Sequence, residues 1–346
     1  MSLTLAERID TLVALGDYLR EDNDEFLEAL QKRTEFNNSW FTLANQRAAL
    51  EAIRDQFLDR DKLNTWVRNY PDLAPATSPL SQKTVGLVLA GNIPLVGFHD
   101  ILCVYIAGHR AQIKLSSKDA YVLPYLLKKL ADFNPGAAAY FDVGDKLRGF
   151  DAVIATGSDN SARYFEAYFG RYPHIIRKNR NAVAVLSGSE TTEELRALGQ
   201  DIFRYFGLGC RNVSKLYVPE GYDFQPLLEV LHEWKELQNH TKWKNNFDYN
   251  YALTTLNKES FHLTGPLMVL EEEAIVSRIA TLHFSYYSDV AALETELTAR
   301  AEQIQLVVAP AGLLAGVNTF GFGEAQVPGP GDYADGVDTL AFLSTL

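Results

Sequence analysis

The feature that most constrains this chain is a series of short, continuously apolar runs, each followed by a helical pattern. Residues 84–90 read Thr-Val-Gly-Leu-Val-Leu-Ala, comparable runs recur at 150–156 and 181–186, and 111–115, Ala-Gln-Ile-Lys-Leu, is a further short strand. A run without polar alternation suits a strand buried on both faces, and regular interruption by helices is the mark of a parallel sheet with helices on its faces. The helical stretches are 96–107, 121–133, a segment from Gly157-Ser158 through Tyr168, and 192–206. Ser116 and Ser117 are candidate caps for the second of these. A further block repeats the theme, with strand-like runs at 214–218, 279–287 and 304–309 and helical stretches at 224–238 and 291–303. Ahead of both blocks, residues 3 to 68 carry helical spacing (Leu5, Ile9 and Leu12, then Leu50, Ile53 and Phe57), with Ser39 as a plausible cap. A breaker-rich stretch from 71 to 81 follows, either a linker or the entry into the sheet.

At 346 residues the chain has room for two cores. Its 32 Lys and Arg against 44 Asp and Glu give a net charge of -12, which argues against a nucleic-acid surface but not against a local basic pocket for a small anion. Only two cysteines occur, Cys103 and Cys210, so a reduced, cytoplasmic setting is expected. The first residues, MSLTLAERIDTL, lack a basic region followed by an apolar run, and no stretch of about 18 apolar residues predicts a membrane span.

Few residues are placed to do chemistry. Cys210 stands in Phe206-Gly-Leu-Gly-Cys210-Arg-Asn-Val, between a predicted helix and a predicted strand. The glycines let backbone approach a ligand closely, and Arg211 favours a thiolate; the plainer reading is a small buried residue in a Gly-rich loop. Cys103 lies on an apolar helix face and reads as core. His99 shares that face, but no second ligand pair accompanies it and the 7 histidines are scattered, so no metal site is predicted. Asn92, in Gly91-Asn-Ile-Pro94, follows a buried strand, where an amide can donate to an oxyanion, though the same four residues also make an ordinary turn. Lys114 ends a strand, Ser117 follows it, and Thr156-Gly157-Ser158 occupies the same strand-to-helix position. None of these is a Gly-x-Gly-x-x-Gly fingerprint or a P-loop.

Taken in order, Gly91-Asn92-Ile-Pro94, Ile113-Lys114-Leu-Ser-Ser117, Thr156-Gly157-Ser158 and Gly209-Cys210 resemble the aldehyde dehydrogenase superfamily. Within it the chain is similar to acyl-CoA reductases related to the fatty-acid reductase subunit of bacterial bioluminescence. The Gly-rich ending, Asn318-Thr-Phe-Gly-Phe-Gly and Gly336-Val-Asp-Thr-Leu-Ala-Phe342, fits the same superfamily. The resemblance covers residues 40 to 346. It implies an α/β fold of two parallel-sheet domains with a cofactor- and substrate-binding cleft between them. It divides the chain into a helical region at 1–80, a nicotinamide-cofactor domain at 81–205, a catalytic domain at 206–317 and a returning segment at 318–346. It makes Cys210 the nucleophile and Asn92, with the Cys210 N–H, the oxyanion donor. Lys114, Ser117, Thr156, Gly157 and Ser158 fall against the cofactor, and a homo-oligomer is the superfamily's usual assembly.

Departures from the superfamily pattern sharpen the expectation. Hydrolytic members carry a glutamate about thirty residues before the thiol, yet between Glu166 and Glu190 no carboxylate occurs. Without that base a thiol such as coenzyme A is a better acyl partner than water. Ser117 and Lys118 stand where NAD-selective relatives place an acid, which favours NADPH, with NADH as the alternative. Glu273 and His262 compete for the residue beside the nicotinamide ribose. The expected reaction is therefore reduction of an acyl-CoA, or another acyl thioester, to an aldehyde. An acyl phosphate or a carrier-protein thioester is the alternative substrate, and a non-catalytic acyl-binding subunit the alternative role. The basic run Arg171, Arg177, Lys178 and Arg180 would suit an anionic substrate, although such a run is more often a solvated face.

Overall fold

The computed structural model describes residues 2–21, 23–71, 73 and 82–346. Most of the breaker-rich stretch predicted at 71–81, with the domain boundary at 80, lies outside the described residues. The chain divides into two compact units, Met1–Asn179 with Pro328–Leu346, and Arg180–Val327.

The first unit opens with four helices, α1 (Leu5–Glu21), α2 (Glu25–Asn37), α3 (Leu43–Phe57) and α4 (Arg60–Val67). Side-chain oxygens of Asp24, Thr42 and Asp59 accept the first free N–H groups of α2, α3 and α4, so Thr42, not Ser39, caps α3. Strands and helices then alternate: β1 (Thr84–Val88), α5 (Phe98–Ile106), β2 (Arg110–Lys114), α6 (Val122–Phe133), β3 (Phe141–Val143), β4 (Ala152–Thr156), α7 (Asp159–Phe169) and β5 (His174–Arg177). The five strands form a wholly parallel sheet in the order β3-β2-β1-β4-β5. Val85 and Leu87 of β1 pack into one core with α1, α3, α4, α5 and α6. Ser116 and Ser117 do not cap α6, which begins after Tyr121 without a side-chain cap; the Ser116 hydroxyl accepts the Lys118 N–H instead.

The second unit contains β6 (Asn181–Val185), α8 (Thr192–Phe203), β7 (Val213–Pro219), α9 (Gln225–Leu231), α10 (Thr241–Asn257), β8 (Phe261–Leu263), β9 (Met268–Glu271), β10 (Thr281–Tyr287), α11 (Val290–Ala299), β11 (Ile304–Val308) and β12 (Thr319–Phe320). Its sheet runs β12-β11-β6-β7-β10-β9-β8 and is parallel except for β8, which pairs antiparallel with β9 at the edge. Both units are thus α/β as expected, the first sheet wholly parallel and the second parallel but for the edge strand β8. The strand at 181–185 pairs with β7 and β11, not with the first sheet, so the units part at residue 179 instead of 205. The chain finally returns to the first unit as α12 (Thr339–Ser344), capped by Asp338. Among the described residues no helix is long and apolar enough to cross a membrane, and no group of three or more His, Cys, Asp or Glu could hold a metal ion.

Candidate active site

In the first unit the residues singled out from sequence gather along one edge of the sheet. Val88 stands in register with Lys114 on one side and Ala155 on the other. The loops after β1, β2 and β4 therefore leave the sheet side by side, with adjacent strands about 4.8 Å apart. From β1 the chain builds outward through β2 to β3, then returns to place β4 and β5 on the other side of β1. The gap between the carboxyl ends of β1 and β4 is the topological switch point, where an open parallel sheet binds its ligand. Asn92 is exposed in the loop after β1, Lys114 and Ser117 are exposed at the end of β2, and Thr156, Gly157 and Ser158 leave β4.

This edge is tightly built. A Cβ on Gly91 would come 2.2 Å from the Ser116 Oγ, so only glycine lets the two loops approach. Leu95 sits at φ 57, and its N–H donates to Asp119 Oδ2 at 2.7 Å. Asp119 is 5% exposed; burial pushes its pKa up to about 6, and the bond from Leu95 pulls the other way. Ser158 caps α7 by accepting the Ser161 N–H at 3.3 Å, and a Cβ on Gly157 would meet the Ser161 Cβ at 2.8 Å. An exposed ammonium, hydroxyls at Ser117 and Thr156, and the amino end of α7 together suit phosphates and ribose hydroxyls.

The basic run does not form one anionic-substrate patch. Arg177, 5% exposed, donates from Nη1 to both oxygens of Asp100 at 2.7 Å and from Nη2 to Thr339 Oγ1 at 2.9 Å. Burial disfavours its cation, and Asp100 more than offsets that, holding the pKa above its ordinary value. Arg171 stacks on the Tyr172 ring and Arg180 donates to the Ala301 carbonyl. Arg177 is thus an internal tie between α5, β5 and α12.

In the second unit Cys210 is half-buried in the turn between α8 and β7. Three residues ahead of it, Tyr205, Phe206 and Gly207, have φ of 53, 58 and 67°. Left-handed backbone costs a non-glycine residue roughly 1–2 kcal/mol, so the two aromatic residues must be held there. Phe206 lies 4.4 Å from the His240 ring and 6.1 Å from that of Trp243. Asn212, 1% exposed, supplies a second clamp. Its Oδ1 accepts the Gly209 N–H at 2.8 Å, while its Nδ2 donates to the carbonyls of Asp201 and Arg204, both at 2.9 Å.

Asp201 is fully buried on α8 and accepts from the N–H groups of Gly323 at 2.7 Å and Ala325 at 3.1 Å. Burial pushes its pKa up to about 6 against the pull of those two bonds. Arg211, beside the thiol, donates to the Ala325 carbonyl at 2.7 Å and lies over the Phe320 ring. The Gly-rich segment is thereby tied to the thiol turn from two directions. Cys103 contrasts with Cys210: fully buried on α5, its thiol is pushed well up by burial. Of the two candidates beside the nicotinamide ribose, His262 is stacked on Phe224 at 4.3 Å and Glu273 is exposed. Sequence reasoning did not single out Asn212, Asp201 or Asp119, whose partners are main-chain groups. The one legible signal was an Asn two residues after the thiol, in a turn.

No family model matches the chain. A curated relative, long-chain acyl-protein thioester reductase 2 of Photobacterium leiognathi, is 22% identical over 263 residues, covering 70% of this chain and 54% of the relative. The chain thus spans about half the length of the curated relative it matches. Among solved structures it is similar to aldehyde dehydrogenase 21 of Physcomitrella patens, in complex with the product succinate (TM-score 0.67, 14% identity, 99% of this chain and 84% of that one). An oxidoreductase from Marinobacter aquaeolei superposes with a TM-score of 0.66 at 12% identity, covering 96% of this chain and 80% of that one. An aldehyde dehydrogenase of Bacillus cereus, in its NAD+ complex, gives 0.61 at 14% identity, over 89% and 72% of the two chains. The chain has the aldehyde dehydrogenase fold.

Proposed function

We propose that this chain of aldehyde dehydrogenase fold is an acyl-thioester reductase that releases an aldehyde, with Cys210 as its nucleophile and acyl-CoA as its substrate. The observation that carries the reading is the Cys210 turn: a half-buried thiol just after a left-handed stretch at 205–207 and beside a Gly209 held by Asn212, in a chain whose other thiol is fully buried and pushed well up by burial. The likeness to a thioester reductase supports the same chemistry.

Cys210 Sγ bonds to the acyl carbon as the bond from that carbon to the carrier sulfur breaks, and the carrier thiol leaves with the proton. The Cys210 N–H and the Asn92 side-chain amide are the groups assigned to donate to the charge that develops on the acyl oxygen. When bound, a nicotinamide cofactor would supply the hydride that takes the Cys210-bound acyl group to the aldehyde, with Cys210 Sγ leaving as the thiolate and taking a proton from water. Lys114 and Ser117, with the Thr156-Gly157-Ser158 turn, would hold that cofactor at the switch point of the first sheet. Ser117 and Lys118, both exposed where an acid would repel a 2′-phosphate, favour NADPH. The absence of any carboxylate from 167 to 189 leaves water without a base in that stretch, which favours a thiol as the acyl partner.

The test is loss of NADPH absorbance on mixing the purified protein with a panel of acyl-CoA thioesters, beside Cys210→Ala. Thioester-dependent oxidation that vanishes in the variant is expected. Equal rates in the two proteins would remove Cys210 from the mechanism. The relative's action on an acyl-protein makes a protein-bound acyl thioester the second substrate to try, with acyl phosphate beside it.

A further inference from the structure

We propose that Asn212 is the positioning residue of the thiol turn: its side chain fixes the peptide group that carries the Cys210 N–H and so sets the reactivity of the thiol. The inference rests on reading Cys210 as the nucleophile and extends that reading to a residue that touches no substrate.

Helix α8 stops at Phe203, which leaves its last carbonyls without helical partners. Asn212 Nδ2 takes up those of Asp201 and Arg204 at 2.9 Å, with Ile202 further away at 3.4 Å. Residue 212 is thus anchored to the end of a packed helix. From that anchor it holds Gly209 at both ends, its Oδ1 accepting the Gly209 N–H at 2.8 Å and its own N–H donating to the Gly209 carbonyl at 3.1 Å. The Gly209 carbonyl and the Cys210 N–H belong to one planar trans peptide, so fixing the first aims the second in the opposite direction. The left-handed run at 205–207 leads into this turn, and a strained backbone persists only where its surroundings over-determine it. The Asn212 carbonyl accepts the Ala182 N–H at 3.2 Å, which ties residue 212 to the sheet on one side, and its side-chain bonds to the end of α8 fix it on the other.

The measurement is the rate at which iodoacetamide alkylates Cys210 across pH, read by mass spectrometry on the full chain and on Asn212→Asp. Aspartate keeps the shape and an acceptor for Gly209 but loses both donors to α8. Alkylation at least tenfold slower, with a displaced pH midpoint, is expected. Turnover with acyl-CoA should fall in step while KM for NADPH stays unchanged. A variant that melts earlier yet is alkylated at the wild-type rate with the wild-type pH profile would overturn the proposal and leave Asn212 a structural residue. Should Asn212→Asp not fold, Asn212→Ser serves for the same series. Hydrogen exchange across 204–213 of the wild type is a check that needs no variant: slow exchange of the Gly209 and Asn212 amides supports the clamp, and exchange as fast as in an open loop defeats it. If the wild type shows no turnover on any thioester, the reductase reading fails, while the alkylation series still decides the role of Asn212.

Discussion

The Asn92 loop in the first unit and the Cys210 turn in the second are held by different means. Around Asn92 the work is done by backbone. Gly91 brings two loops into contact by having no side chain, strand register levels the edge, and one buried carboxylate oxygen of Asp119 takes a single N–H. Around Cys210 side chains do it: Asn212 ties four main-chain groups together and both oxygens of Asp201 hold the Gly-rich segment. A loop that leaves the carboxyl edge of a parallel sheet inherits its place from the strands. The Cys210 turn, arriving from a helix that has run out, has no such inheritance and needs polar side chains to complete it.

Substitutions can break this comparison at graded points. Asn92→Ala should have the largest effect, removing an oxyanion donor worth roughly 3 kcal/mol and lowering kcat about a hundredfold in a protein that still folds. Steady-state kinetics beside thermal unfolding checks it. Gly91→Ala comes next, because its Cβ would strike Ser116 Oγ at 2.2 Å and Ser116 Cβ at 2.5 Å. Overpacking of this kind costs about 2 kcal/mol. Urea unfolding should show that loss, and the double variant Gly91→Ala, Ser116→Gly should recover most of it.

The two aspartates allow a finer contrast. Asp201→Asn sets an amide NH2 against the N–H of Gly323 or Ala325, leaving a buried donor unmet at a cost of roughly 1–2 kcal/mol. Asp119→Asn keeps an oxygen for the one N–H of Leu95 and should cost less than about 1 kcal/mol. Its effect appears instead in pH dependence. Both carboxyls have folded-state pKa values near 6 against an ordinary 3.8, so the stability due to their protonated forms is complete below 3.8 and lost as pH rises through 6. At Asp201 the neighbouring Glu324 raises the value further and Arg204 lowers it. Unfolding curves at pH 4, 5, 6 and 7 should show a flatter stability profile for Asp119→Asn than for the wild type. An unaltered profile would remove Asp119 from the titration.

Much of the fold was legible because buried parallel strands announce themselves. The runs containing β1, β4, β6 and β11 are apolar and short, and β2, β7 and β10 were legible as short strands between helical stretches. The strands that escaped were β3, β5, β8, β9 and β12, segments of two to four residues such as Phe-Asp-Val and His-Ile-Ile-Arg that are too short to show a pattern. Helix α10 escaped because its aromatic residues point all around it, Trp243 inward and Tyr249 and Tyr251 outward, so no apolar face repeats. The split at residue 179 was misplaced because a buried strand looks the same whichever sheet receives it. Arg177 looked solvated because its partners, Asp100 and Thr339, are 77 and 162 positions away. The thiol and the edge residues could be named from local motifs; Asn212, Asp201 and Asp119 act on main-chain atoms that only the folded chain brings near.

The division of the first unit between the two ends of the chain bears on how the protein is made. Residues 180–327 are continuous, so a nascent chain can close the second unit as soon as they have left the ribosome. The first unit emerges earlier yet waits longer, since Arg177 meets Thr339 only after the whole second unit has been synthesised. Until then the buried guanidinium lacks its hydroxyl partner, and the core surface that receives Leu340 and Leu343 stays open to chaperones or to aggregation. The later-born unit is therefore free to mature first, and its thiol turn can be complete before α12 joins the core of the first unit.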